Sequence, residues 1–165
     1  MGMTAAFVAL TSERLAALKA GPETAGQYFV EQINAGSEDV ALDIDKSWHG
    51  IHFLLTHEAY GGEGPISQPI FGGVAIGDDI GYGSARYLES PEVASIAKAL
   101  ADVSVDQLRQ RFKPAELEEA YVYPTGIWED EGDEAFEYLA HWYERLQQFY
   151  AEAAQRGDAM LLAVI

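Results

Sequence analysis

The 165 residues read as an α+β fold in a single domain, with a small mixed sheet that includes strands from both ends of the chain, about six helices packed on it, and a long C-terminal helix. Three observations predict this. Apolar runs of strand length lie at Met3–Leu10 and Ala159–Ile165. Between them, apolar residues recur at spacings of three and four in segments punctuated by Gly and Pro. One such segment, from about Asp133 to Gln155, keeps the helical period for roughly 35 Å.

Taken in order, Met3–Leu10 is a buried strand and Thr11 offers a hydroxyl cap to a helix over Ser12–Ala20, with Leu15 and Leu18 on one face. Gly21-Pro22 breaks that helix and starts another, which buries Tyr28, Phe29 and Ile33 and stops at Gly36. Val40–Ile44 is a short strand or extended entry, and a helix follows from Lys46 to Leu55. The stretch from His57 to Gly83 is rich in Gly and reads as a loop region with short pieces, a lid or ligand wall or else a surface insertion. Ser90-Pro91 is a helix start with Ser90 as cap, Ser104 caps the next helix, and Pro114 opens a third that runs through Ala120. Tyr121–Pro124 reads as extended. In the long helix Phe136, Leu139, Tyr143, Leu146, Tyr150 and Ala153 make an apolar face, and Gly157 ends it. Ala159–Ile165, apolar throughout, is best placed as a central strand neighbouring the first.

A hydrophobic share of 48% without low-complexity tracts marks a globular chain. The absence of Cys excludes disulfides, thiolate metal sites and thiol nucleophiles, so any metal would need His, Asp or Glu. The first residues lack a basic segment, and Phe7–Leu10 is too short for a signal or a membrane span, so a cytoplasmic location is expected. Net charge is −17, and between Lys113 and Arg145 there are ten acidic residues with no Lys or Arg. Such a field repels phosphate backbones and anionic lipid, which argues against nucleic-acid and membrane partners and fits either solubility or a basic protein partner.

The densest chemistry lies between Leu42 and Thr56. With a helix from Lys46, Trp48, Ile51, His52 and Leu55 share one inward stripe, while Asp45, His49 and His52 follow one another at about one turn. Two imidazoles and a carboxylate within reach suffice for acid–base work or metal binding. The same residues also have architectural roles open to them: Asp45 as a helix cap, Asp43 as a cap or a partner of Lys46, and His52 as a core histidine bonded to a carbonyl. The spacing does not match His-Glu-x-x-His, so no metal and no cofactor are expected.

Elsewhere the signals are thinner. Gly72-Gly73, Gly77 and Gly81–Gly83 lack the strand, helix and Lys of phosphate-binding loops. Arg86 is the only Lys or Arg between Lys46 and Lys98 and is either an anion anchor or a paired surface residue. The acidic run Glu129–Glu134 fits no calcium-loop count. No serine lies in a nucleophile-elbow context.

Leu42-Asp43-Ile44-Asp45-Lys46, then Trp48, His52-Phe53 and Leu55-Thr56, resembles the most recognisable stretch of the YfbM-like family, small bacterial proteins without an assigned activity. The opening Met-Gly-Met, Gly83–Val93, Tyr123-Pro124, the long last helix and the final apolar strand agree in order. The resemblance implies an α+β single domain and no catalytic residue. It sets His49 apart as a position free to vary and leaves Asp43, Asp45, Trp48 and His52 as the shared set. His57 departs from it, since the pattern has Gly after Thr56.

Two functions are compatible with these features. One is a non-enzymatic acidic protein that binds a basic protein partner. The other is a small-molecule binder or enzyme whose pocket is built from Asp43, Asp45, Trp48, His52 and Arg86 under the Gly-rich 57–83 region, with a metal-dependent hydrolase a distant third. Tyr138, Trp142 and Phe149 form a second stripe on the long helix, which suggests a homodimer.

Overall fold

The computed structural model describes residues 2–165; Met1, the first residue of the Met-Gly-Met opening, lies outside them. Strand β1 (Ala5–Leu10) is followed by helices α1 (Ser12–Ala20) and α2 (Ala25–Ala35), strand β2 (Ala41–Asp43), and helices α3 (Trp48–Thr56) and α4 (Gln68–Phe71). Strands β3 (Val74–Asp79) and β4 (Ser84–Leu88) come next, then helices α5 (Ser90–Ala101), α6 (Val105–Arg111), α7 (Pro114–Glu119), α8 (Trp128–Glu131) and α9 (Asp133–Arg156). Strand β5 (Ala159–Val164) closes the order.

The strands form one sheet in the order β2-β1-β5-β4-β3. Every pairing is antiparallel, so the sheet is not mixed as its sequence suggested. β1 and β5 are neighbours at its centre, with Phe7 opposite Leu162 and Val8 opposite Leu161. Both are covered on two faces, and alternate residues feed two cores: Phe7, Met160 and Leu162 enter the larger, Val8, Leu10 and Leu161 the smaller. That two-sided burial is why these strands read as unbroken apolar runs rather than as alternating ones.

The smaller core is closed by Leu15 and Leu18 of α1 and Phe29 of α2. The larger lies between the sheet and the remaining helices, with α9 contributing Phe136, Leu139, Tyr143, Leu146 and Tyr150. Phe149 is also buried, and Tyr138 and Trp142 are half-buried, so the second stripe of α9 is largely covered by its own chain.

Side-chain capping fixes the starts of α1, α5 and α6. Thr11 Oγ1 accepts from the Arg14 N–H, and Ser104 and Gln107 form a reciprocal capping box on α6. On α5 the cap is Glu89, paired in a capping box with Glu92, so Ser90 and Pro91 are the first helical residues and Ser90 is not the cap. Two extended readings also change. Tyr121–Pro124 is a turn, with Tyr121 at φ 53° and a cis peptide before Pro124. The 57–83 stretch contains α4 and β3, and close approach accounts for part of its Gly content: a Cβ on Gly77, at φ 76°, would lie 2.6 Å from the Pro22 carbonyl oxygen. β3 pairs with β4 through an irregularity between Ile76 and Asp79, and it forms one edge of the sheet.

Candidate functional site

The entry to α3 is set by Asp43. Its Oδ1 accepts from the Asp45 N–H at 2.7 Å, which turns the chain and places Asp45 at φ 53°. A short 3-10 turn over Asp45–Ser47 precedes α3, and Ser47 Oγ donates to the Ile44 carbonyl at 2.6 Å. Asp45 is therefore not the helix cap that its position suggested. Its Oδ2 instead accepts from the Tyr138 hydroxyl of α9 at 2.6 Å, and the Tyr138 oxygen accepts from the Lys46 N–H at 3.1 Å. Burial and the Asp45 carboxylate together push the Tyr138 phenol well above its ordinary value, so it stays a donor. Burial likewise raises Asp43, opposed by the Asp45 N–H it accepts.

All of Trp48–Leu55 is buried. A helix apolar on every side sits inside the core, and both of its histidines are interior. His49 is wholly buried: its Nδ1 accepts from the Tyr123 N–H at 2.8 Å, and its Nε2 donates to the Ala59 carbonyl at 2.7 Å. Those two bonds fix one tautomer of the neutral ring, and burial lowers its pKa. The position that the resemblance set apart as free to vary thus ties α3 to two loops here.

His52 is also buried, at 1% exposure, with its ring 4.6 Å from that of Phe71 in an edge-on arrangement. Among the described residues, its two ring nitrogens are the buried side-chain nitrogen and oxygen atoms left without a hydrogen-bond partner. Burial first, then the neighbouring His49, pushes its pKa down to about 4, against a small opposing effect of the Gly61 backbone. The ring is neutral at pH 7, and the expected bond to a carbonyl is not formed in good geometry.

Trp48 donates from Nε1 to the Met3 carbonyl at 3.0 Å and stacks on His49 and Tyr123, with centroids 4.9 and 5.6 Å apart. Arg86 on β4 donates to the carbonyls of Ile70 and Gly72, both at 2.8 Å, where α4 ends. It is half-buried, and burial lowers its pKa. The five candidates thus divide: Asp43 and Asp45 lie at one end of α3 beside Tyr138, Trp48 and His52 lie inside, and Arg86 braces α4. Among the described residues no three His, Asp or Glu are grouped to hold a metal.

The sequence marks Tyr138 only as part of a second stripe on the long helix and Tyr123 only within the Tyr123-Pro124 pair, not as site residues. With Asp45, Lys46, Pro124, Ile127 and Glu131, they line a recess of about 320 Å³ at the N-terminal end of α9. Beside it stand Glu129, Asp130, Glu134 and Glu137, all exposed, with no ion-pair partner among the described residues; Asp133 alone in this stretch is paired, to Arg109 at 3.2 Å. The acidic run in the sequence was the signal for this face, but nothing local revealed the recess. It is assembled from segments some ninety residues apart, as in the Tyr138–Asp45 bond.

The fold and site define a layered α+β domain in which His49 and His52 are interior and the acidic end is open. The chain belongs to a family described as a domain of unknown function, DUF1877, whose profile matches residues 1–163. It is 25% identical over 169 residues to Protein YfbM of Escherichia coli strain K12, covering 100% of this chain and 99% of that protein. The crystal structure of E. coli YfbM, a protein of unknown function, superposes with a TM-score of 0.74 at 24% identity, covering 98% of this chain and 99% of that one. His57, where the resemblance in the sequence implies Gly, ends α3 in the left-handed region at φ 58°, a conformation that Gly holds without strain.

Proposed function

We propose that this is a non-enzymatic cytoplasmic domain that binds a basic protein through the acidic end of α8 and α9. The observation that supports it is the set of exposed, unpaired acids Glu129, Asp130, Glu131, Glu134 and Glu137 around a recess with an aromatic and apolar floor. A Lys or Arg side chain suits such a recess, since its stem packs on Tyr123 and Ile127 while its charge meets Asp45 and Glu131. A strongly acidic field also steers a basic partner and excludes anionic ones. The location rests on the sequence together with the finding that, among the described residues, no helix is long and apolar enough to cross a membrane.

The test is capture from host lysate on immobilised chain, beside a variant carrying Glu129→Gln, Asp130→Asn, Glu131→Gln and Glu134→Gln. The reading requires a basic protein that the native chain retains at low salt, releases near 0.5 M salt, and loses in the variant. Identical retention by both chains would overturn it.

A further inference from the structure

An imidazole without partners is costly inside a protein, because each buried nitrogen that exchanges water for nothing loses its hydration outright. His52 leaves both nitrogens in that condition, whereas His49, one turn away, has both satisfied. Tyr138, Tyr143 and Tyr150 each find an acceptor as well, so this fold satisfies its other buried polar groups. The exception lies beside the backbone of Gly61, one of residues 57–64. Residues 57–64 pass over this end of α3 with most of their surface exposed, and Gly61, Gly62 and Gly64 stand at φ 75°, 114° and 72°. A principal tether of this strap is the Ala59 carbonyl on His49 Nε2. Tyr60, 67% exposed, leans on His49 and Phe71 with centroids 4.8 and 5.6 Å away.

We propose that His52 is the recognition group of a ligand site closed by the 57–64 strap, and that its ligand is a small uncharged molecule with a flat apolar body carrying a hydrogen-bond donor and an acceptor. The chemistry of the walls sets each part of that description. A neutral imidazole presents one N–H and one bare nitrogen, so it is satisfied by a ligand that offers the complementary pair. Phe71 beside His52 and the exposed Tyr60 that leans on it supply aromatic surface for a flat body. Among the described residues no Asp, Glu, Lys or Arg is fully buried, Arg86 is committed to two carbonyls, and the strap's own Glu58 and Glu63 face solvent, so no charge is set inside to meet an ionic ligand. Entry requires the strap to lift, which its glycines permit in the backbone and which parts Tyr60 from His49 and Phe71 and the Ala59 carbonyl from His49. This site is separate from the acidic face and stands or falls independently of it.

The experiment is a titration of protein carrying 13C-labelled histidine with benzamide, which has the required donor, acceptor and flat ring, and with benzoate and benzamidinium as charged isosteres. His52 is assigned by its loss in His52→Leu, and exposed His141, outside the strap, serves as the internal reference. Benzamide should move the His52 ring signal saturably while leaving the His141 signal in place, and both charged isosteres should bind at least about tenfold more weakly. His52→Gln, which keeps a donor and an acceptor, should retain saturable binding read from the amide signals of the strap, and His52→Leu should lose it. If His52→Leu does not fold, the wild-type titration and His52→Gln decide. An unmoved His52 signal, equal shifts at all histidines, or equal binding of a charged isostere would overturn the proposal.

Discussion

His49 Nδ1 accepts the backbone N–H of Tyr123 at 2.8 Å, joining residues seventy-four positions apart through a ring that is wholly buried. Because the opposite nitrogen donates to Ala59, one side chain holds α3, the strap and the Tyr123 turn together. Replacing His49 with Ala strands an N–H and a carbonyl and opens a cavity, so it should cost about 3–5 kcal/mol. Urea denaturation measures it, and a loss below about 1 kcal/mol would mean that these bonds are not maintained in solution.

The neighbouring histidine should respond in the opposite direction. His52→Leu removes two unpartnered nitrogens while keeping an apolar side chain against Phe71, so it should raise stability by about 1–3 kcal/mol. A fall in the urea midpoint would show that His52 has partners in solution.

Acid should unfold the chain through these rings. An unfolded histidine titrates near 6.5, whereas His52 is held down to about 4 and His49 is lowered too. As pH falls below about 6.5 the unfolded state binds protons first, so stability is lost between about pH 6.5 and 4, by about 3 kcal/mol for His52 alone. Asp43, raised by burial, acts in the opposite sense but only in the carboxylate range. Urea midpoints from pH 7.5 to 5 should fall more steeply for the native chain than for His52→Leu, and parallel slopes would refute the assignment.

Gly50 lies where α3 crosses α8 and α9. An added Cβ would stand 2.8 Å from Leu139 Cδ2 and 2.9 Å from the Trp128 ring. In an open helix Gly→Ala gains about 1 kcal/mol, but here overpacking should win and Gly50→Ala should lose about 1–3 kcal/mol. Thermal melts read the sign directly.

Tyr138→Phe leaves the ring in place and removes the hydroxyl that bridges Asp45 and the Lys46 N–H. The expected loss is about 1–2 kcal/mol, with faster hydrogen exchange at the Lys46 amide. An unchanged exchange rate would mean that the bridge does not hold this end of α3.

Much of the fold was legible because local rules and packing agreed. The Thr11 cap, the Gly36 and Gly157 stops and the period of α9 each answer to a few neighbouring residues. β3 was hidden because an edge strand with exposed Val74 and a Gly pressed against Pro22 has neither alternation nor an apolar run. At the candidate site, periodicity placed His52 inward but could not tell that His49 was equally buried, since both faces of α3 meet protein. Asp45 took a partner from α9 rather than from its own turn, which no local pattern encodes.

The irregular β3 strand bears on how the chain behaves in a crowded cell. A five-stranded sheet offers two open rims to other molecules, and a straight apolar rim invites strand-by-strand growth into aggregates. Here one rim, β2, is three residues long, while the other is broken between Ile76 and Asp79 and bears Asp78 and Asp79. Removing that irregularity and its two charges would turn a blunt border into a template for fibrils.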